Sequence, residues 1–318
     1  METGVNLRIL CTGGCGFIGA PLVKRLVDAG HDVTVIDDLS RGSILNLNGY
    51  VDRIAFIEHD MKQPLDITVT YDVVFDLAAR IYGITRLYED QPGFLRENTL
   101  ILLNTLESVK ACCHHYVYVS SSCIYNYEGC PIPHRESDAR VVPKTGYDLS
   151  KRFGEEIVRL YAEQYGFRYT VVRPFNVYGA GEGEDAPHVI TDLFRRILQE
   201  KAKPSGTFWI LGSGEQTRSF TYLEDFIDGL LLLMDRGEGG VFNVGNAEET
   251  RVIDLLQTMF DVAGLPFDAY EVQHRPAYAD DVQRRQPDTA KIRDVGWTPK
   301  HTLREGLENI WRDLTASG

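Results

Sequence analysis

The sequence predicts an α/β protein, a doubly wound parallel sheet with a smaller, interleaved C-terminal lobe. Short apolar runs alternate with helix-length amphipathic segments through the first half of the chain. A glycine cluster, Thr12-Gly13-Gly14-Cys15-Gly16-Phe17-Ile18-Gly19, sits where the first run meets the first helical segment. From Gly179 onward the alternation gives way to a looser pattern.

In order, Leu7-Arg8-Ile9-Leu10 reads as a strand leading into the glycine loop, and 21–29 as the first helix. Val33-Thr34-Val35-Ile36, Ile54-Ala55-Phe56-Ile57 and Val73-Val74-Phe75 are the next strands. A helix over about 94–111 precedes the strand Tyr116-Val117-Tyr118-Val119, a further helix carries Tyr147, and Tyr169-Thr170-Val171-Val172 follows as a strand. Alternation of this kind buries a parallel sheet on both faces. Beyond Gly179 come a Gly/Glu-rich loop, a helix over 189–198, and a helix and strand over 220–234 and 241–244 that return to the sheet. From about Thr250 the pattern predicts helical segments and loops. The first domain is therefore set at 1–178, with about 220–247 returning to it. The second takes 179–219 and 248–318.

Composition narrows the function classes. The chain has 318 residues, 43% hydrophobic and 25% charged, which suits a globular core. A net charge of −13 argues against nucleic-acid and anionic-membrane partners, while a few local arginines still suit a small anion. The first ten residues include Glu2 and no apolar h-region, and the longest apolar run, Phe226 to Met234, is broken by Asp228 and Gly229. The expectation is a cytoplasmic protein. Six cysteines (11, 15, 112, 113, 123 and 130) show neither metal-ligand spacing nor a disulfide framework, so no metal is expected. Cys112-Cys113-His114-His115 reads as a helix end leading into a strand, because adjacent residues point in different directions.

The glycine loop lies between a strand and a helix, where its backbone approaches a pyrophosphate at the helix N-terminus. Gly13, Gly16, Phe17, Ile18 and Gly19 are the candidate contacts, and Asp37, eighteen residues beyond Gly19, ends the second strand. A carboxylate there accepts both ribose hydroxyls and repels a 2′-phosphate, which favours NAD over NADP; Arg41 nearby is the one residue that favours NADP. Asp60, after the third strand, is a candidate partner of the adenine amine. Asp38, Met61, Leu77, Ala78, Ala79 and Asn98 complete the candidate cofactor set, with Tyr147 and Lys151.

Tyr147-Asp148-Leu149-Ser150-Lys151 places a phenol and an ammonium one turn apart on one helix face. A cation beside a phenol favours the phenolate and lowers the tyrosine toward useful proton transfer. Ser121, in Ser120-Ser121-Ser122-Cys123-Ile124-Tyr125 after the preceding strand, is placed to share that proton. The trio suits hydride chemistry at a carbinol.

Together these residues resemble an extended short-chain dehydrogenase/reductase, as do Arg173-Pro174-Phe175-Asn176-Val177-Tyr178-Gly179, Gln216-Thr217-Arg218-Ser219-Phe220, Gly296-Trp297-Thr298-Pro299 and Leu303-Arg304-Glu305-Gly306-Leu307. The resemblance spans nearly the whole chain. It implies a Rossmann-type fold, a nucleotide-diphosphate sugar substrate, a homodimer built through a four-helix bundle, and Asn176, Arg218 and Arg285 near the substrate diphosphate. Arginine's planar fork suits phosphate. It also implies that Tyr147 removes the C4 hydroxyl proton while hydride passes to NAD. Arg80, Tyr82, Gly83 and Arg86 are the candidate sugar-facing residues, the arginines suiting a carboxylate or extra hydroxyls, or serving as surface charges.

In 4,6-dehydratases and uronate decarboxylases the two residues after the catalytic Ser/Thr typically include an acid, and Ser121-Ser122-Cys123 does not. This segment is similar instead to those of GDP-fucose synthase and GDP-mannose 3,5-epimerase, where the cysteine works on protons beside a 4-keto group. Pro187-His188-Val189-Ile190 offers His188 where the fucose synthase has its histidine, whereas Asp185 stands where the mannose enzyme has a lysine. A C4 ketone acidifies the C3 and C5 hydrogens. Thiol and imidazole, with reference pKa values of about 8.5 and about 6.5, are tunable to exchange them. The expected function is an NAD-dependent nucleotide-sugar epimerase with Cys123/His188 proton exchange at C5, C3 or both. The alternatives are a simple 4-epimerase with Cys123 as a small filler, an epimerase/reductase, a dehydratase or decarboxylase, and a cofactor-bound module without catalysis.

Overall fold

The computed structural model describes residues 5–81, 89–140, 142, 144–182, 188–200, 205–277 and 282–316. The chain forms two compact units: 1–127, 140–174 and 227–242 make the first, and 128–139, 175–226 and 243–318 the second.

The first unit is built on a seven-stranded sheet. Its first six strands are β1 (Arg8–Thr12), β2 (Asp32–Asp37), β3 (Ala55–Glu58), β4 (Tyr71–Asp76), β5 (Cys113–Val119) and β6 (Arg168–Pro174). The spatial order is Gly240–Val244, β6, β5, β4, β1, β2, β3. All pairings among β1 to β6 are parallel. The chain order reverses beside β1, the crevice where doubly wound sheets take their ligands. Leu10, Val74, Tyr116 and Val171 of the sheet pack with Leu102, Leu106 and Val158 of the helices Gln91–Val109 and Gly146–Tyr165. Both helices carry side-chain caps: Asp90 accepts the Gly93 N–H, and Thr145 accepts the Asp148 N–H. Gly166, at φ 79°, ends the second.

The fold expected from the sequence is the one observed, with element ends moved by a few residues. The Cys112–His115 run is indeed the passage from helix to strand, since β5 begins at Cys113. None of the six cysteines is joined in a disulfide. Among the described residues no group of three or more His, Cys, Asp or Glu is placed to hold a metal, and no helix is long and apolar enough to cross a membrane.

The second unit differs from the expectation after Thr250. Tyr270–Arg275 is a strand, paired in parallel with Gly206–Leu211, which the sequence pattern also did not suggest. Tyr-Glu-Val-Gln-His-Arg is polar and largely exposed beyond Tyr270, so the usual apolar signal is weak. These strands and the helices Val189–Glu200, Val252–Ala263 and Leu303–Ala316 enclose Phe194, Phe208, Leu256, Phe260 and Leu307. Trp297 is buried, and its indole N–H donates to the Asp225 carbonyl at 2.9 Å, which explains the Gly296–Pro299 motif as packing.

Candidate active site

The glycine loop is fixed from both sides. Gly13 has φ +66°, and a Cβ there would lie 2.9 Å from the Ala78 backbone nitrogen; at Gly19 it would collide with the Gly13 carbonyl. The Gly13 N–H donates to the Ile36 carbonyl at 2.8 Å. Thr12 Oγ1 donates to the buried Asp76 carboxylate at 2.7 Å and accepts the Leu77 and Ala78 N–H groups at 3.2 and 3.3 Å. The backbone thus approaches closely where a pyrophosphate needs it, before the helix Gly19–Asp28. Phe17 and Ile18 are half-buried in the turn that opens this helix.

Asp37 is buried at the end of β2. One carboxylate oxygen accepts the Cys15 N–H and the other the Leu39 N–H, each at 2.9 Å. Burial raises its pKa and the two N–H groups oppose that rise. Each oxygen keeps a lone pair, so the pair of ribose hydroxyls fits this carboxylate. Asp38 is turned to its own loop, accepting from the Ser40 N–H and hydroxyl at 2.9 and 2.5 Å. Asp60 accepts the Lys62 N–H at 2.9 Å, and the Met61 carbonyl accepts from Asn104 at 2.9 Å. Asn98 braces the chain after Ala79, accepting the Arg80 N–H at 2.7 Å and donating to Ser150 Oγ at 3.3 Å. The Arg80 guanidinium lies 4.5 Å from the Phe94 ring centre and pairs with Asp90 and Glu97 at 2.9 and 3.2 Å. Tyr82, Gly83, Arg86, Asp185 and Pro187 lie outside the described residues.

Ser121 leaves β5 in extended conformation and caps the short helical turn Ser122–Tyr125, its Oγ accepting the Cys123 N–H at 3.1 Å. The same hydroxyl acts on the Tyr147 phenol, favouring its ionised form. Lys151, one turn on from Tyr147, is buried; its Nζ donates to the Val119 carbonyl at 2.9 Å and lies 5.0 Å from the Tyr118 ring centre. The structure thus brings Ser121, Tyr147 and Lys151 together and sets the half-buried Cys123 on the adjoining turn.

Their electrostatics differ from the simple expectation. Burial pushes the Tyr147 phenol up, a charge on Cys123 would push it further, and the Ser121 hydroxyl opposes both. Burial likewise pushes Lys151 down to about 8, against the pull of the Asp76 and Glu155 carboxylates. Spacing suggested that the lysine lowers the tyrosine. Desolvation of the buried phenol outweighs that effect in this structure.

The second unit holds the other candidates. Arg285 and Arg218 are register partners on parallel strands, so both side chains leave the same face. Arg284 and Thr217, on the opposite face, both bind Glu249. Asn176 has φ +36°, a left-handed conformation uncommon outside glycine, and donates to the Ser219 carbonyl at 3.0 Å. The His188 side chain is 62% exposed, and its Nδ1 bonds to Glu182, whose own side chain is 6% exposed. Sequence reasoning missed Glu182, Asp76, Glu155 and Arg173. Glu155 carried a signal in repeating the four-residue spacing of Tyr147 and Lys151, and Arg173 in opening the Arg173–Gly179 motif, though neither motif nor spacing gave them a role.

Comparison with known proteins follows the same lines. Residues 9–245 match the NAD dependent epimerase/dehydratase family. UDP-glucuronic acid decarboxylase 3 of Arabidopsis thaliana is 32% identical over 97% of this chain and 89% of its own length. A UDP-N-acetylglucosamine 4-epimerase from Methanobrevibacter ruminantium, solved with UDP-N-acetylmuramic acid, superposes with a TM-score of 0.88 at 26% identity, over 98% of this chain and 99% of that one. The UDP-glucose 4-epimerase of Thermus thermophilus, solved with NAD, gives 0.82 at 26% identity, over 98% and 100%.

Proposed function

Because the chain belongs to the NAD-dependent epimerase/dehydratase family, we propose that it is a nucleotide-sugar epimerase working through a transient 4-keto sugar. NAD would be held by the glycine loop and Asp37, and when bound would supply the hydride acceptor. Tyr147 takes the proton of the C4 hydroxyl, and Ser121, whose hydroxyl favours the ionised phenol, shares that proton. Lys151 keeps a buried positive charge one turn away. In the return step Tyr147 gives the proton back to the C4 oxygen.

The observation that carries the choice of epimerase is Cys123. It occupies the turn capped by Ser121, where related dehydratases and decarboxylases typically have an acid. In this reading Cys123 and His188 exchange protons at C5 or C3 while C4 is a ketone, Glu182 orients the His188 imidazole, and Arg218 and Arg285 hold the diphosphate. A panel of nucleotide sugars, incubated with the protein in deuterated water, tests it. Deuterium is expected at C5 or C3 of a product that has lost no carbon, and both are expected to disappear in Cys123→Ser. Inversion at C4 alone, without deuterium, sinks the role of Cys123.

A second reading is a UDP-glucuronic acid decarboxylase, and the 32% identity to such enzymes across 97% of the chain favours it. The same panel separates the two, since release of carbon dioxide from UDP-glucuronic acid selects the decarboxylase. For either activity a homodimer is the proposed working form. Phe153 and Leu160, 43% and 54% exposed and seven residues apart on the helix Gly146–Tyr165, support a second copy covering that face.

A further inference from the structure

Glu155 follows Lys151 by four residues and Tyr147 by eight, so it shares their face of the helix Gly146–Tyr165. It is 5% exposed and has no part in the chemistry above. Its Oε1 accepts the Ser120 hydroxyl at 2.6 Å and Arg173 Nε at 2.9 Å, while Oε2 accepts Arg173 Nη2 at 2.7 Å. Arg152 Nη1 stands 3.6 Å from Oε2. Arg173, on β6 and 3% exposed, donates from Nη1 to the Tyr125 hydroxyl at 2.6 Å, with its guanidinium 5.2 Å from the Tyr125 ring centre.

One ion pair therefore grips the chain at Ser120 and again at Tyr125, and the residues between are Ser121-Ser122-Cys123-Ile124. A buried ion pair is a weak source of stability, because desolvating two charges costs about what their attraction returns. Its distinctive property is geometric. The guanidinium is planar, the carboxylate bidentate, and a hydroxyl hydrogen-bonded to either is held in direction as well as distance.

We propose that Glu155 and Arg173 are positioning residues, clamping both ends of the Ser120–Tyr125 segment so that Ser121 meets the Tyr147 phenol and Cys123 keeps its place on the turn. The proposal rests on the reading of these residues as C4 redox and proton-transfer groups.

Ser120→Ala and Tyr125→Phe each delete one hydroxyl of the clamp and leave the ion pair in place, so both variants are suited to fold. Two readouts apply to the full-length protein: steady-state kinetics with a nucleotide sugar that the unmodified protein turns over, and the iodoacetamide alkylation rate of Cys123, followed by peptide mass spectrometry. Each variant is expected to lose about tenfold in kcat with KM little changed, the scale set by small misplacement of reacting groups. Alkylation of Cys123 is expected to accelerate, with the buried Cys11 unchanged as the internal reference. An unaltered Cys123 rate in both variants overturns the clamp. A faster Cys123 rate with unchanged kcat overturns its bearing on the reaction. If the unmodified protein reduces no cofactor with any nucleotide sugar, the functional reading fails instead, and the alkylation rates alone decide the clamp.

Discussion

The two units hold their candidate residues in opposite ways. In the first, Ser121, Lys151, Asp76, Glu155 and Arg173 are all buried, and hydrogen bonds tie Glu155 to both Ser120 and Arg173. In the second, His188 is mostly exposed and bonded to a buried glutamate, and the arginine pair stands on short strands of only two residues. Burial fixes geometry and moves pKa values by desolvation. Side chains that stay partly open to solvent serve recognition through charge and reach. Substitutions at Ser121, Tyr147 and Lys151 should therefore act on kcat, and those at Arg218 and Arg285 on KM.

The strongest way to break this contrast is Tyr147→Phe, which removes the proton acceptor while leaving the buried ring. Substrate-dependent reduction of the cofactor, read by its absorbance, should fall by about a thousandfold. A smaller loss places the proton transfer elsewhere.

Acid stability comes next. His115, 4% exposed on β5 with its Nε2 2.8 Å from Thr170 Oγ1, is pushed down to about 4, first by burial and then by the charge of Arg168. Below its ordinary pKa of about 6.5 the unfolded chain binds a proton that the folded one refuses. The stability contributed above pH 6.5 is thus lost as pH falls to about 4, by about 3 kcal/mol. Urea midpoints measured across that range check it, and His115→Gln should flatten the dependence. An equally steep profile in that variant assigns the loss to other groups.

Arg218→Ala and Arg285→Ala should each raise KM by about ten- to a hundredfold, the worth of one charge-assisted phosphate contact, with kcat changed far less. A kcat loss at constant KM in either variant reverses the contrast between the units. The smallest effect separates two neighbouring acids. Asp37→Asn should weaken NAD binding by about tenfold in calorimetry, whereas Asp38→Asn, its carboxylate already taken by Ser40, should change it by less than about twofold.

What was legible in the sequence follows from the range of each interaction. The β1–glycine–helix unit, Asp37 and the Tyr147/Lys151 spacing are local patterns, so a single stretch of chain carries each of them. The family resemblance made Arg218 and Arg285 candidates separately, but their pairing needs strands 67 residues apart, 285 less 218, to fall into register. Asp76 illustrates the remainder. It ends an ordinary strand, and its meaning comes from Thr12 and Tyr116, 64 and 40 residues away. Desolvation is legible least of all: the spacing of Tyr147 and Lys151 says that a cation is near a phenol, and only the packed structure says that burial dominates both.

The strand Gly240–Val244, at the edge of the sheet beside β6, fixes when the first unit can be finished during synthesis. Its residues leave the ribosome after about three-quarters of the chain, behind a short and a long stretch, 128–139 and 175–226, that belong to the other unit. Before that point the nascent sheet ends at β6 with an unpaired edge, the kind of surface that templates aggregation. No cut that leaves one continuous fragment preserves the complete sheet without segments of the second unit. Expression of the N-terminal 178 residues alone is therefore expected to give a species that needs chaperones, one whose missing edge a separately supplied C-terminal fragment should restore.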